Sequence, residues 1–548
     1  MPALPQNAPL PKISTDLVAK VIRQRAAHGA APGPSGWTEE LLLPLLSNAP
    51  ALEALTALIS DIAAGRLNAQ ARDLLLRSRL IPVKKKNDGL RPVVVGEALV
   101  RVASLCLIHS LPPKLLQQLL APLQLGIGSP NGVESAIHLV QTHLLTHPNH
   151  TLLSVDLANG FNSLHRHHML RALFDNPSLS HLWRLAHWSY AQPSQLILSA
   201  PRHDPITFLS QRGARQGCVL GTLLFCLTIQ PALTKIAQGL QDTSLIAIVD
   251  DINIAGPVDQ VSVALGRILK EFPGLGLSLS PAKSALLWAT HTPTPQSLQT
   301  LSASHDIPIH AGSLPLLGSI VGSDTKAAMT FASSKAEAHS PFFHALTHES
   351  MPLQNAYLLL RSSAVPRLNF LCRTLPPHIT LDACQIFQAH VLKTALHLLQ
   401  LPQQSLSQVA LRQIQLPLRL GGLGLRSVVD TAPAAYLGSL AASAPLIAPI
   451  CSPPPAPSLT ILQQSLDHFN QCDDLKLPTP QHFFAHVANP SPATRLPPHK
   501  LQQHLSFALA QSHQHQLYKS LTQPLQAHLT SLSQKSPDHF LICSRLRR

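Results

Sequence analysis

Asp250 and Asp251 stand side by side within the apolar run Leu245 to Ile254. Two adjacent carboxylates in apolar surroundings repel each other and lose hydration, so a bare pair there is costly. A divalent cation offsets that cost, and carboxylate oxygens are the ligands that Mg²⁺ or Mn²⁺ prefers. A third carboxylate, Asp156, closes another apolar run that begins at Thr151. Three carboxylates gathered around two cations about 3.5–4 Å apart can clamp the attacking and leaving oxygens of an in-line phosphoryl displacement. An Asp-Asp pair alone is more often a plain acidic turn. The third acid is what moves the odds.

The elements that must position these groups are legible in outline. The flanks of Asp250 and Asp251 are rich in β-branched residues and predict two short strands with the acid pair at the turn between them. Asp156 ends a predicted strand and is followed by Leu157, Phe161 and a helical stretch. Between the two acidic segments, a glycine-marked loop from Gly213 to Gly217 runs into an apolar helix reaching Phe225.

The order of these segments resembles the palm of reverse transcriptases, most closely those of non-LTR retrotransposons of the R2-like and protist type. Asp156 and Phe161 match the first palm motif, an Asp followed five positions later by an aromatic; Gln216 and Gly217 match the second. The third is an aromatic, any residue, then Asp-Asp; Ile248 replaces the aromatic, with both carboxylates intact. The likeness extends over most of residues 30–440. The segment from Leu80 to Glu97, with Lys84 and Arg91, is similar to the fingers, and Gly33–Trp37 to the loop that opens them. Gly276–Lys283 resembles the motif ending in a lysine, and Leu316–Gly322 the short hairpin that grips the primer. Segments at Pro366–Pro376 and Leu416–Leu425 resemble those that recur after the palm.

The resemblance implies an α+β right-hand polymerase fold of fingers, palm and thumb, with additional helical N- and C-terminal regions. It implies an RNA-directed DNA polymerase that uses Mg²⁺ or Mn²⁺ to extend a DNA primer with dNTPs on an RNA template. Asp156 and Asp250 then hold the metals, Asp251 supports their charge, and the carbonyl of Leu157 adds a ligand. Arg91 is placed to pair with the incoming triphosphate, because a guanidinium offers phosphate a bidentate fork where Lys84 offers a point charge. Lys283 serves the leaving pyrophosphate, Gln216 and Gly217 lie under the templating base pair, and Phe161 packs beneath the sugar of the nucleotide.

Composition agrees with a polyanionic partner. Formal net charge is +14 and the pI is near 9.7; phosphate contacts supply most of the affinity in such complexes. The eight cysteines show no Cys-x₂₋₄-Cys spacing, so no zinc knuckle is expected. The 30 histidines read as composition rather than metal sites, with His165, His167 and His168 on solvated surface. No signal-peptide pattern opens the chain, and the uncharged stretch 431–466 reads as a packed helix and proline-rich linker, not a membrane span. An intracellular, nuclear protein is expected.

Along the chain, the expected order is a disordered proline-rich start (1–11), a helical extension (12–70), fingers and palm (71–325), a helical thumb (326–440), a proline-rich linker (441–460) and a helical tail (461–548). No endonuclease pattern follows the thumb, which reads as a truncated element. The competing functional reading is a catalytically silent nucleic-acid-binding remnant, or a domesticated reverse-transcriptase-like protein. Ile248 favours it, and the three intact carboxylates speak against it.

Overall fold

Strands form where the β-branched runs fall. The computed structural model describes all residues except 27–28, 85–88, 200–202, 403–406, 448–461, 468–499 and 534–548. The chain divides into two units. The first comprises Met1–Gly132, Leu153–Leu286 and Gln296–Pro308; the second comprises Val133–Leu152, Leu287–Pro295 and Ile309–Arg548. Residue 325, where the helical thumb is expected to follow the palm, lies within the second unit.

In the first unit, β1 (Ser78–Lys84) and β2 (Leu90–Gly96) form an antiparallel hairpin, in register from Ser78↔Gly96 to Lys84↔Leu90. With β3 given to Thr151–Val155, the next strands are β4 (Ser194–Leu198) and β5 (Ile206–Ser210). They extend the hairpin into a sheet ordered β2-β1-β4-β5, where the fingers are expected. The palm sheet carries β6 (Ser244–Ile248), β7 (Asp251–Gly256), β3 and β8 (Ala285–Trp288), in the order β6-β7-β3-β8. β6 and all of β7 after Asp251 are buried. That fits their nearly continuous apolar sequence. The helix Gly221–Ala237, with Phe225 fully buried, packs against the helices Arg166–Phe174 and Val258–Leu275.

The expected helices of the N-terminal extension are present as Thr15–Ala26, Glu39–Leu42, Ala49–Ala64 and Ala69–Leu76. Asn48 caps the third by accepting from Ala51 N–H at 3.0 Å. The proline-rich start is not loose as expected. Ala8 is buried, and the Arg184 guanidinium donates to the carbonyls of Ala8 (2.8 Å) and Pro9 (3.1 Å). Those bonds give an otherwise irregular segment a fixed place.

The second unit is mainly helical. Besides β9 (Ile309–Ala311), it holds an antiparallel hairpin of β10 (Ser313–Leu316) and β11 (Ser319–Gly322). The helices Thr325–Glu337, Pro377–Leu399 and Val428–Ile447 enclose a core that includes Phe343 and Phe387, edge to face at 5.2 Å. The last of these continues to Ile447 through Pro433 and Pro445, so the linker does not begin at 441. The rest of that expected linker lies outside the described residues, as do 468–499 and 534–548 of the tail. No helix among the described residues is long and apolar enough to cross a membrane.

Candidate active site

The acid pair sits on a hairpin with a two-residue turn. β6 and β7 are antiparallel and end on the pair Ile248↔Asp251, leaving Val249 and Asp250 as the turn. Val249 has φ +60°, a left-handed conformation that is unusual for a β-branched residue. Such strain costs of order 1–3 kcal/mol and persists only where neighbours over-determine it. Here the neighbour is Gln124, fully buried. Its Oε1 accepts from Val249 N–H at 2.8 Å, and its Nε2 donates to Val249 C=O at 3.0 Å. The same Oε1 accepts from Gly126 N–H at 2.9 Å. The Gln124 segment is itself laid alongside β6, with Ala247 N–H donating to Leu123 C=O (2.7 Å) and Leu125 N–H to Ala247 C=O (2.9 Å). Gly126 must be a glycine, because a Cβ there would come within 2.7 Å of Val249.

Asp156 leaves the end of β3, the neighbour of β7 in the sheet. Its backbone N–H donates to Ser284 Oγ (3.1 Å), and its C=O accepts from Ser280 N–H (2.9 Å). Leu157 and Ala158 continue this attachment, Leu157 by a bridge to Leu279 and Ala158 by donating to Ser278 C=O at 2.9 Å. The loop that fixes Asp156 thus also carries Lys283, exposed in the turn Pro281–Lys283.

The three carboxylates feel one another. Burial, and then the charge of Asp156, raise the carboxyl of Asp250 above its usual range, with Arg91 opposing. Asp251, at the exposed edge, is pushed up to about 6, first by desolvation and then by Asp250 and Asp156. The structure therefore brings Asp156, Asp250, Asp251 and Arg91 into one electrostatic site. A set of oxygen donors that resists carrying its own negative charge suits a hard divalent cation.

The remaining expected residues fall around this centre in different ways. Arg91 and Lys84 are exposed on the β1–β2 hairpin, where Arg91 pairs with Val83. Lys85 and Lys86 lie outside the described residues. Phe161 is half-buried in the short helix Gly160–Ser163 and stacks on Phe225, with ring centroids 4.7 Å apart. Gly217 lies against β2. Its φ is +110°, and a Cβ would come within 2.2 Å of Val94 C=O; Gln216 C=O accepts from Val94 N–H at 2.7 Å. The close approach that glycine permits is thus to the fingers strand β2. The preceding Arg215 anchors this loop, buried over the Tyr190 ring at 4.9 Å and donating to Ser194 Oγ at 3.1 Å.

Gln124 is the residue that sequence reasoning missed. Its role is a pair of bonds to a distant backbone, which leaves no periodicity or spacing to read. The only available signal was an amide side chain between Leu123 and Leu125 in an otherwise apolar stretch.

This site is an α+β sheet that presents three clustered carboxylates suited to a divalent cation. Residues 83–309 match the family described as reverse transcriptase (RNA-dependent DNA polymerase). That portion of the chain is similar to the reverse transcriptase family, and its α+β right-hand fold is the one the motifs led us to expect. The chain is also 26% identical over 430 residues to the retrotransposable element SLACS 132 kDa protein of Trypanosoma brucei gambiense. The alignment covers 77% of this chain and 34% of the relative, so the chain spans about a third of that protein's length. Among solved structures, apo telomerase from Candida tropicalis aligns at a TM-score of 0.36 and 10% identity, covering 70% of this chain and 68% of that one. Telomerase from Candida albicans, in complex with a TWJ fragment of telomeric RNA, aligns at 0.33 and 13% identity, covering 75% and 66%. Neither value is high enough to support an argument from shape.

Proposed function

We propose that this chain extends the 3′-OH of a DNA primer with dNTPs on an RNA template, as the polymerase of a non-LTR retrotransposon. The observation that carries this reading is the gathering of Asp156, Asp250 and Asp251, where burial and then mutual repulsion raise the carboxyls of Asp250 and Asp251. Asp156 and Asp250, with the carbonyl of Leu157 and support from Asp251, would hold Mg²⁺ or Mn²⁺. Cations held there supply acidity at the primer hydroxyl and neutralise charge on the reacting phosphates.

The chain's own groups do the rest. Arg91 faces the triphosphate with its guanidinium fork, and Lys84 adds charge from the same hairpin. Lys283 stands on the loop that fixes Asp156 and faces the departing pyrophosphate. Phe161, held flat by Phe225, lies beneath the sugar and leaves no room for a 2′-hydroxyl. Gln216 and Gly217 act through the loop that joins palm to fingers, shaping the floor under the templating base. The duplex is gripped through its backbone and A-like shape, which suits a chain of net charge +14. A polymerase that primes on host DNA works in the nucleus, and we assign the chain there.

Ile248, buried where the family's motif has an aromatic, favours the second reading of a silent nucleic-acid-binding remnant. Primer extension on poly(rA)/oligo(dT) with dTTP and Mg²⁺ or Mn²⁺ separates the two. Template-dependent lengthening supports the polymerase; tight binding of the primer–template without lengthening supports the remnant.

A further inference from the structure

The histidines read as composition in the sequence, yet one group of them converges. His143 and His147 are four residues apart at the C-terminal end of the helix Gly132–Thr146, whose bonding pattern continues as His147 N–H donates to His143 C=O at 2.9 Å. Pro148 then turns the chain, and His150 N–H donates back to His147 C=O at 3.0 Å. The spacing His-x₃-His-x₂-His is thereby folded onto itself. One ligating atom from each ring lies within 4.8 Å of the other two, and His143 Nε2 is 3.0 Å from His150 Nδ1. The rings of His147 and His150 are stacked, 10° from parallel.

Two details separate this group from a chance crowding of surface imidazoles. His143 is buried, only 1% exposed, so one of the three nitrogens is presented from inside the protein. His147 Nδ1 lies 3.3 Å from the carbonyl oxygen of His143. Donation there fixes the tautomer and leaves Nε2 with its lone pair outward, the arrangement that orients metal-bound histidines. The second group, His165, His167 and His168, comes equally close but lies at a helix start where none of the three is buried.

We propose that His143, His147 and His150 form a binding site for a first-row transition-metal cation of the zinc class, with water in the fourth position. An all-imidazole donor set selects against Mg²⁺ and Ca²⁺, which take oxygen. Tetrahedral zinc, with Zn–N about 2.0–2.1 Å, holds its nitrogens roughly 3.4 Å apart, close to the separation already present between His143 and His150. The half-buried rings of His147 and His150 leave the fourth position facing solvent. The cation would staple the helix end to the loop that leads into β3. It is a separate site from the carboxylates and does not depend on the polymerase reading.

The full-length chain, stripped with EDTA and returned to Mg²⁺ buffer, is titrated with Zn²⁺ against a chromophoric chelator and with Co²⁺ by visible absorption. The expected result is one tight equivalent of Zn²⁺, an intense tetrahedral Co²⁺ band and a higher melting temperature. His147→Gln and His150→Gln, neither of which removes a buried ring, should each weaken binding about tenfold or more and abolish the band. His167→Gln and Asp250→Asn should leave both unchanged, and a single cooperative melting transition in EDTA confirms that all four variants are folded. The site is overturned if wild type shows no tight equivalent, if both His147→Gln and His150→Gln bind like wild type, or if Asp250→Asn removes the binding.

Discussion

Two hairpins in this chain close on two-residue turns, and they are built differently. In the second unit, β10 and β11 are joined by Leu317 and Gly318, with φ of +50° and +87°. This is the turn that suits the right-handed twist of paired strands, with glycine where the backbone is most demanding. In the first unit, β6 and β7 are joined by Val249 and Asp250, and a β-branched residue takes the left-handed position. Glycine would relax that turn. What stands there instead is a carboxylate beside a strained valine, clamped by both polar atoms of the Gln124 side chain. A turn that only reverses the chain can use the residue the backbone prefers. A turn that must aim a carboxylate draws on a neighbour to hold a conformation its own residues resist.

The contrast can be broken most sharply at Gln124. Gln124→Leu keeps the bulk but leaves Val249 N–H and C=O without partners, which costs about 1–3 kcal/mol. We expect a lower melting temperature and primer extension reduced roughly 10–100-fold, since misplacement by about 1 Å has effects of that order. Thr374→Val, which removes the 2.9 Å bond to Ser319 Oγ beside the other hairpin, should leave the per-site extension rate nearly unchanged. Equal losses in the two variants would remove the distinction between the turns.

A smaller effect is expected from the turn residues themselves. Gly318→Ala places a side chain at φ +87° and should cost about 1–2 kcal/mol of stability. Val249→Gly should instead be neutral or stabilising, because the strain it relieves offsets the extra freedom it gives the unfolded chain. Chemical denaturation of both variants checks the pair; a clear destabilisation by Val249→Gly would mean that the valine side chain, not Gln124, holds the turn.

The smallest effect is in pH. Asp251 rises from an ordinary 3.8 to about 6 on folding, so the folded state binds its proton more tightly than the unfolded one. Its linkage therefore lowers stability as pH rises from near 4 through about 6. In EDTA, wild type should lose stability relative to Asp251→Asn over that window, and added Mg²⁺ should narrow the gap at neutral pH. Parallel melting curves for the two proteins from pH 4 to 7 would remove the electrostatic coupling.

The sequence made the three carboxylates legible because their identity and order survive without any knowledge of contacts. The palm hairpin and the shorter one at Leu316–Gly322 were legible for the same reason, since apolar runs broken by turn residues need no partner to be recognised. What escaped was every feature made by a contact between distant segments. Gln124 serves a backbone 125 residues away. The close approach of Gly217 to Val94 joins segments more than a hundred residues apart. The start of the chain was read from its prolines alone, and Arg184, which holds it, lies 176 residues from Ala8. The histidine group required the turn at Pro148 to bring His150 back to a helix end, which spacing by itself does not specify.

The central claim is that the carboxylate turn performs nucleotidyl transfer and is not needed to bind the substrate. Asp250→Asn tests it directly, because an amide keeps the shape of the turn and removes the charge that divalent cations require. Incorporation rate and primer–template affinity are measured on one preparation of each protein. The account predicts incorporation lost by about 10³-fold or more, with affinity and melting temperature close to wild type. A variant that extends the primer at near wild-type rate would contradict it.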